Sequence, residues 1–406
     1  MKIKSYRLIN LLRNLGVYAV LTFFAFVMIF PFLYMLTTSF KVPADTFRYP
    51  PRMLPRDQVT VSAMGYDKPL ALYEVVYKGK QRQFGLAQSN IKVGSYAPPD
   101  NLSATVERRL TEVKPTGGAM EQQTVEIGGA EQKLFDVEVD GQIIPMILTS
   151  QTTVGEFVDP RNPKIKIYQN VRLSTPVEDL TWHPENYSAV VELQGLDRAL
   201  ANTALVTILV VLGQLATSVI GGYAFARLKF PGRDSLFVIY LGTIMIPFVM
   251  LIVPLYQLMV LIGWTNRLAS LIIPWIFTAY GTFLMRQFFI TVPKEIEEAA
   301  VLDGASRLQI LTKIFIPASV PALATQSTFT FLYAWNSFLW PLVVINVGKT
   351  ENHVLTLALN VLRGRASDTP NLILAGAAIA IIPPLIVFIL GQRFFVESVT
   401  SSGVKG

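Results

Sequence analysis

The residues whose types and spacing say most lie in one stretch, Pro293-Lys294-Glu295-Ile296-Glu297-Glu298-Ala299-Ala300-Val301-Leu302-Asp303-Gly304. Pro293 suits a first helical position, Glu295 and Glu297 put negative charge on the positive end of a helix dipole, and Gly304 suits the left-handed residue that ends a helix. Ser306 and Gln309 then have the spacing of a capping box for a second helix that stops at Pro317. This segment offers grip rather than bond-making. Ala299 and Ala300 follow Ile296 by three and four residues, on one helical face, and are small enough for another protein's backbone or groove to approach. Glu298 stands beside that face for a basic partner. The plainer alternative is a solvated amphipathic helix.

No bond-making constellation competes with it. His183 and His353 are isolated from each other and there is no cysteine, which argues against a zinc hydrolase, a thiolate metal site and a catalytic thiol. The chain has no G-x-x-x-x-G-K-[ST] loop for nucleotide phosphates, no G-x-S-x-G elbow and no H-E-x-x-H. The carboxylate pairs Asp136/Glu138 and Glu178/Asp179 read as solvated strand or loop faces rather than acid–base pairs. An enzyme is not expected.

The elements that must carry the segment are apolar. Of 406 residues 51% are hydrophobic and 16% charged, well below the quarter or so of charged residues usual in soluble domains, and the mean hydropathy is +0.43. Six runs free of Asp, Glu, Lys, Arg and His approach the length needed to cross a bilayer: 15–36, 199–224, 236–259, 269–285, 318–345 and 372–390. The first is longer than a signal-peptide core and no small-residue cleavage site closes it, so it reads as a retained span. With the N-terminus inside, thirteen Lys and Arg fall in the inner connections against four outside, which puts both termini in the cytoplasm. The spans hold no ionisable relay for a proton-driven carrier, while sodium coupling through carbonyls and hydroxyls stays open.

Between the first two runs, residues 41–198 hold 18 basic and 20 acidic side chains and lose the helical pattern. Lys133 to Val139, then Asp140-Gly141, then Gln142-Ile143-Ile144 reads as a hairpin with a type I′ turn. Leu70–Val76, Thr124–Ile127 and Lys164–Tyr168 are further strand candidates, and 97–100 and 115–119 read as loops. The basic residues are scattered between apolar runs rather than gathered on one face, so a nucleic-acid partner is not expected. The expected fold is an α-helical integral membrane protein with six transmembrane helices and an inserted β-rich extracytoplasmic domain. Its parts are residues 1–40 (inner N-terminus and first span), 41–198 (outer insert) and 199–406 (five-helix core with an inner loop over 291–317 and an inner tail).

Glu298-Ala299-Ala300, Gly304 four positions on, and Ile314-x-Ile316-Pro317 after nine more residues resemble the EAA loop of ATP-binding-cassette importer permeases. The family's usual Leu before the proline is Ile316 here. The run from Tyr223 to Arg233 (YAFARLKFPGR), Trp335-Asn336 and the closing Gly403-Val404-Lys405-Gly406 are similar to the carbohydrate-uptake branch, of the maltose-permease type with six spans. The large insert departs from that type. The resemblance implies a permease subunit in a bacterial or archaeal plasma (inner) membrane. Its partners would be a second permease, two ATPase subunits and an extracytoplasmic solute-binding protein, besides membrane lipid. It implies no cofactor in this chain, since ATP and magnesium belong to the ATPase subunits. It also implies a coupling role for Glu298, Ala299, Ala300, Asp303 and Gly304.

Sugar recognition calls for aromatics beside amides or hydroxyls. Within the runs, Asn202, Gln326, Tyr333, Trp335 and Asn336 are candidates for lining a pore, with Gln214 and Thr328 nearby; hydrogen bonding between helices is the ordinary use of such residues in a bilayer. Three function classes stand side by side: an ATP-driven sugar importer's permease, an ion-coupled carrier, and a membrane-anchored outer receptor or enzyme built on the insert.

Overall fold

The computed structural model describes residues 2–118, 122–127, 129–139 and 141–402. Asp140 of the expected turn, Ala119 of an expected loop and the closing 403–406 lie outside them. The described chain divides into a helical unit, residues 1–55 with 182–406, and a β unit, residues 56–181. Residues 41–55 and 182–198, expected in the insert, group with the helices. Asn186 explains this: its amide donates to the carbonyls of Ser39 (2.8 Å) and Lys41 (2.9 Å) and its oxygen accepts from Asn371 (3.2 Å). The chain therefore leaves the helical unit and returns to it at adjoining points.

Among the described residues three helical segments are long and apolar enough to cross a membrane: Asn10–Thr38, Leu196–Arg227 and Pro370–Phe394. The 196–227 helix carries Asp197 in its first turn and Arg227 in its last, each matched to the dipole. The other apolar runs are broken, each for a local reason. In the third, Pro247 holds Ile246 extended (ψ 113°), so Arg233–Met245 meets Phe248–Leu261 at 97°. In the fourth, helix Ala269–Ile272 passes into a 3₁₀ turn containing Pro274, and a new helix, Ala279–Thr291, starts behind the side chain of Thr278. At the entry to the fifth, Pro317 cannot donate to the carbonyl of Lys313 and follows a widened π turn over Leu311–Phe315. The helical path ends one residue later than expected, at Ala318, and turns by 78° into Val320–Trp335.

The break at Trp275–Ile276 frees carbonyls that lipid cannot satisfy. The Gln214 amide donates to the carbonyl of Trp275 (2.8 Å) and the Thr217 hydroxyl to that of Ile276 (2.6 Å). Helices 196–227 and 279–291 cross closely where Gly222 faces Met285.

The β unit is antiparallel throughout, built on two strands of 18 residues, Lys80–Ala97 and Gln142–Asp159. Register shifts between Leu86 and Ile91 and at Ser95/Tyr96 let the pair serve separate cores at its two ends, with Ile91, Val93 and Val154 forming a small cluster of their own. Leu70–Tyr77 and Asn162–Gln169 flank one end, around Val75, Phe84 and Phe157. Ala130–Val139 pairs at the other, around Tyr96, Val137 and Met146, with Val139 opposite Gln142.

Between the cores Glu156 is buried, its carboxylate paired with Lys166 (2.6 Å) and Arg109 and accepting from the Tyr168 hydroxyl (3.2 Å). Burial by itself would raise the acid's pKa, but these donors together hold it below its ordinary value of 4.5. A depressed carboxylate stabilises the fold above its unfolded pKa, and that contribution disappears as pH falls through the folded pKa. Lowering pH below about 4 is therefore expected to loosen this region, and Glu156→Gln to remove that acid sensitivity while weakening the unit at neutral pH. Hydrogen exchange at residues 152–158 of the full chain, pulse-labelled at one fixed pH after equilibration at several, measures it. An unchanged acid limb in Glu156→Gln would refute the assignment.

Candidate functional site

The helix foreseen from residue 293 runs Lys294–Leu302, with Pro293 just outside it in an extended conformation (ψ 138°). Nine residues do not hold a helix in water unaided, so its stability comes from its ends and its root. At the C-terminal end the Gly304 amide donates to the Val301 carbonyl (3.0 Å) and the Ala305 amide to that of Ala300 (2.9 Å), with Gly304 at φ +79°. This is a Schellman motif. The next helix, Arg307–Ile310, opens on the foreseen capping box: Ser306 accepts from the Gln309 amide (3.3 Å), and the Gln309 side chain accepts from the Ser306 amide (2.8 Å).

The helix divides differently from the sequence reading. Glu298, Ala299, Asp303 and Gly304 are exposed, whereas Ala300 is half-buried against a cluster of Tyr223, Phe289, Ile310 and Phe315. Ala299 and Ala300 thus straddle the edge of the contact rather than sharing an open face. The inward face is set by Glu297, one turn before Ala300, which pairs with Arg307 (2.7 Å) and Arg227 (3.5 Å) and keeps only 12% of its side-chain exposure. What remains outside is a ridge with Leu302 at 88% exposure, Ile296 and Val301 about half exposed, and Glu295, Glu298 and Asp303 as its charges. Exposed apolar side chains ringed by carboxylates make a surface suited to a partner with an apolar groove and basic rim.

Arg227 escaped the sequence reading as a site residue. Its guanidinium, 5% exposed, donates to the carbonyls of Phe289 (2.6 Å) and Val292, faces Glu297 and lies 5.0 Å from the centre of the Phe315 ring. A basic residue closing a long apolar run reads as a topology signal, and its partners are some 60 to 90 positions away in the chain. The Glu297 and Arg227 charges alone carried no sign of their pairing.

The five pore-lining candidates do not converge. Asn202 donates to the carbonyls of Glu351 and His353 (2.9 Å each), pinning that loop. Gln326 is buried and donates to Ser218 (2.7 Å), beside a Thr330 hydroxyl that donates to Gln214 (2.7 Å). The Trp335 indole donates to the Ala380 carbonyl (3.0 Å), and Asn336 to Leu332 in its own helix (2.8 Å). Tyr333 is half exposed, with its ring 5.7 Å from that of Trp275. Tyr333 and Trp335 border a small cavity that Trp275 and Trp340 also line.

Residues 215–401 match the family described as binding-protein-dependent transport system inner membrane component. Over 205 residues the chain is 36% identical to the arabinooligosaccharides transport system permease protein AraQ of Halalkalibacterium halodurans, covering 50% of this chain and 73% of that protein. Over 239 residues it is 34% identical to the sn-glycerol-3-phosphate transport system permease protein UgpE of Rhizobium meliloti, covering 57% and 85%. Among solved structures, a chain of a bacterial ABC transporter involved in the import of the acidic polysaccharide alginate is 27% identical, with 54% of this chain and 81% of that one covered at a TM-score of 0.48.

Proposed function

We propose that this chain, which belongs to the family of binding-protein-dependent transport system inner membrane components and is a permease subunit of a sugar importer, is driven through the ridge of helix Lys294–Leu302 by an ATPase chain that grips it. The observation that carries this is the division of that helix: its inward face, Glu297 and Ala300, is fixed to transmembrane helices while Glu298, Ala299 and Leu302 stand free. An element rooted in the spans and open to a partner can pass a movement from one to the other.

The importer would comprise this chain, a second permease, two ATPase subunits that bind ATP and magnesium, and an extracytoplasmic solute-binding protein. Both termini and the ridge lie in the cytoplasm, as the Lys and Arg distribution supports. The β unit lies outside, where it meets the solute-binding protein. Six crossings follow if the broken third, fourth and fifth apolar runs each count as one. The names of the relatives, an arabinooligosaccharide and a glycerol-phosphate permease, point to sugars and sugar-like polyols as the solute class. Tyr333 beside Trp275 is the aromatic surface best placed to meet such a solute.

Glu298→Lys tests the reading, because the side chain is exposed on the helix. The variant is expected to accumulate normally, to lose co-purifying ATPase chains and to lose most solute uptake. Full uptake at wild-type abundance would defeat the proposal. An ion-coupled carrier would instead take up solute as a single chain in vesicles with an ion gradient.

A further inference from the structure

We infer that Arg227 is a positioning residue that fuses the ridge to the transmembrane helices, so that the ridge and helices Leu196–Arg227 and Ala279–Thr291 move as one body; the inference rests on the coupling role proposed above for the ridge.

Four chain segments meet at this one guanidinium. Arg227 belongs to the last turn of the 196–227 helix. Phe289 and Val292, whose carbonyls it binds, lie at the C-terminal end of the 279–291 helix and just past it, where Pro293 has no N–H to offer the Phe289 carbonyl and only the Val292 amide (3.3 Å) reaches it. Arg227 therefore caps a neighbouring helix in trans and places a positive charge at the negative end of its dipole. Its remaining edge faces Glu297, in the first turn of the ridge helix, whose other oxygen is held by Arg307 at the start of the following helix. The face of Phe315, on the same following stretch, covers the guanidinium.

A loop that needed only anchoring could be held by apolar packing, which Ala300, Ala305 and Ile314 already provide against the aromatic cluster. Burying two charges is costly unless their donors and acceptors are met, and what the pair adds is direction. A planar fork with several donors fixes the angle between the ridge and both helix ends, which apolar contacts leave free to slide. A rigid angle is what transmission of a nucleotide-driven movement requires. Lysine, with a single point charge on a flexible stem, cannot reproduce it.

The test uses the whole importer, reconstituted in liposomes with the second permease, the ATPase chains and the solute-binding protein. Arg227→Gln, Glu297→Gln and the double variant are compared with wild type for ATPase chains bound, basal ATP hydrolysis and solute moved per ATP. The single variants are expected to keep bound ATPase and basal hydrolysis while solute moved per ATP drops about tenfold. The double variant is expected to be no worse than the poorer single one, because both substitutions break the same joint. Loss of abundance scales uptake and hydrolysis together and leaves the ratio unmoved, so a merely structural role gives a different result. Should Arg227→Gln fail to accumulate, Glu297→Gln carries the test, since it leaves the Phe289 and Val292 bonds in place. A wild-type transport ratio in Glu297→Gln, or effects that add in the double variant, would overturn the inference. Failure of the wild-type chain to bind ATPase at all would instead overturn the coupling role itself.

Discussion

Leucine at Gly222 is expected to prevent accumulation of the folded chain. A Cβ at that position would lie 2.6 Å from the Met285 Cβ and 2.9 Å from the backbone nitrogen of Arg286. Backbone in a packed helix cannot step aside, so even alanine must separate helices 196–227 and 279–291. Overpacking of this kind costs about 1–3 kcal/mol for added methylenes, and more when the obstacle is backbone. Interfaces between helices in lipid depend on small residues for their approach, with no solvent-driven burial to compensate. The neighbouring Gly221 supplies the control. The three atoms nearest its added Cβ belong to the Thr282 side chain, the closest at 3.0 and 3.2 Å, with no backbone among them, so the crowding is milder. Thermal stability in detergent, followed by size-exclusion chromatography, should rank Gly221→Ala near wild type, Gly222→Ala well below it, and Gly222→Leu with no monodisperse peak. A normal profile for Gly222→Leu would show that the two helices do not cross as described.

Valine at Gly304 is expected to leave the chain folded and silence it. No atom lies within 4 Å of an added Cβ, so the cost is one of backbone conformation alone. At φ +79° an L residue pays about 1–2 kcal/mol, and a β-branched one more. The Schellman bonds to Ala300 and Val301 offer the easiest relief, and their loss would unwind the last turn of the ridge, where Leu302 and Asp303 stand. At about 1.4 kcal/mol per factor of ten, the correctly shaped ridge becomes the minority form. Uptake should drop by about tenfold or more at unchanged abundance, with ATPase chains lost on purification. Asparagine, which tolerates the left-handed region, should retain much of the activity. Valine performing as well as glycine would mean that the shape of this turn is irrelevant to function.

Contrasting these two glycines shows which features could be read from the chain. Gly304 was legible because local signals surrounded it: dipole-matched glutamates before, a capping box after, and a turn that only a few residues can make. The 133–144 hairpin and the three long apolar helices were legible for the same reason, since each rests on neighbours in sequence. Gly222 was not, because its importance lies in Met285, more than sixty residues on. The broken runs were also hidden. Averaged hydropathy does not separate a continuous helix from one interrupted at Pro247 or Pro274, and Pro31, Pro254, Pro383 and Pro384 sit inside helices without ending them. The 80–97 strand was missed because its bulges and polar face erase the two-residue alternation. Likewise Asn202, Gln214 and Gln326 have the chemistry of solute ligands, yet they spend it on neighbouring backbone and hydroxyls, the carbonyls freed at Trp275 included.

The proposed coupling is tested most directly by proximity. The chain contains no cysteine, so a single one introduced by Ala299→Cys, on the exposed side of the ridge, gives a unique attachment point for a short thiol-specific cross-linker. The account expects cross-links from residue 299 to an ATPase chain in membranes of the expressing cell, and none from an exposed control such as Leu261→Cys at the C-terminal end of helix Phe248–Leu261. Sustained solute uptake with no ATPase adduct at residue 299 or elsewhere along the ridge would contradict it.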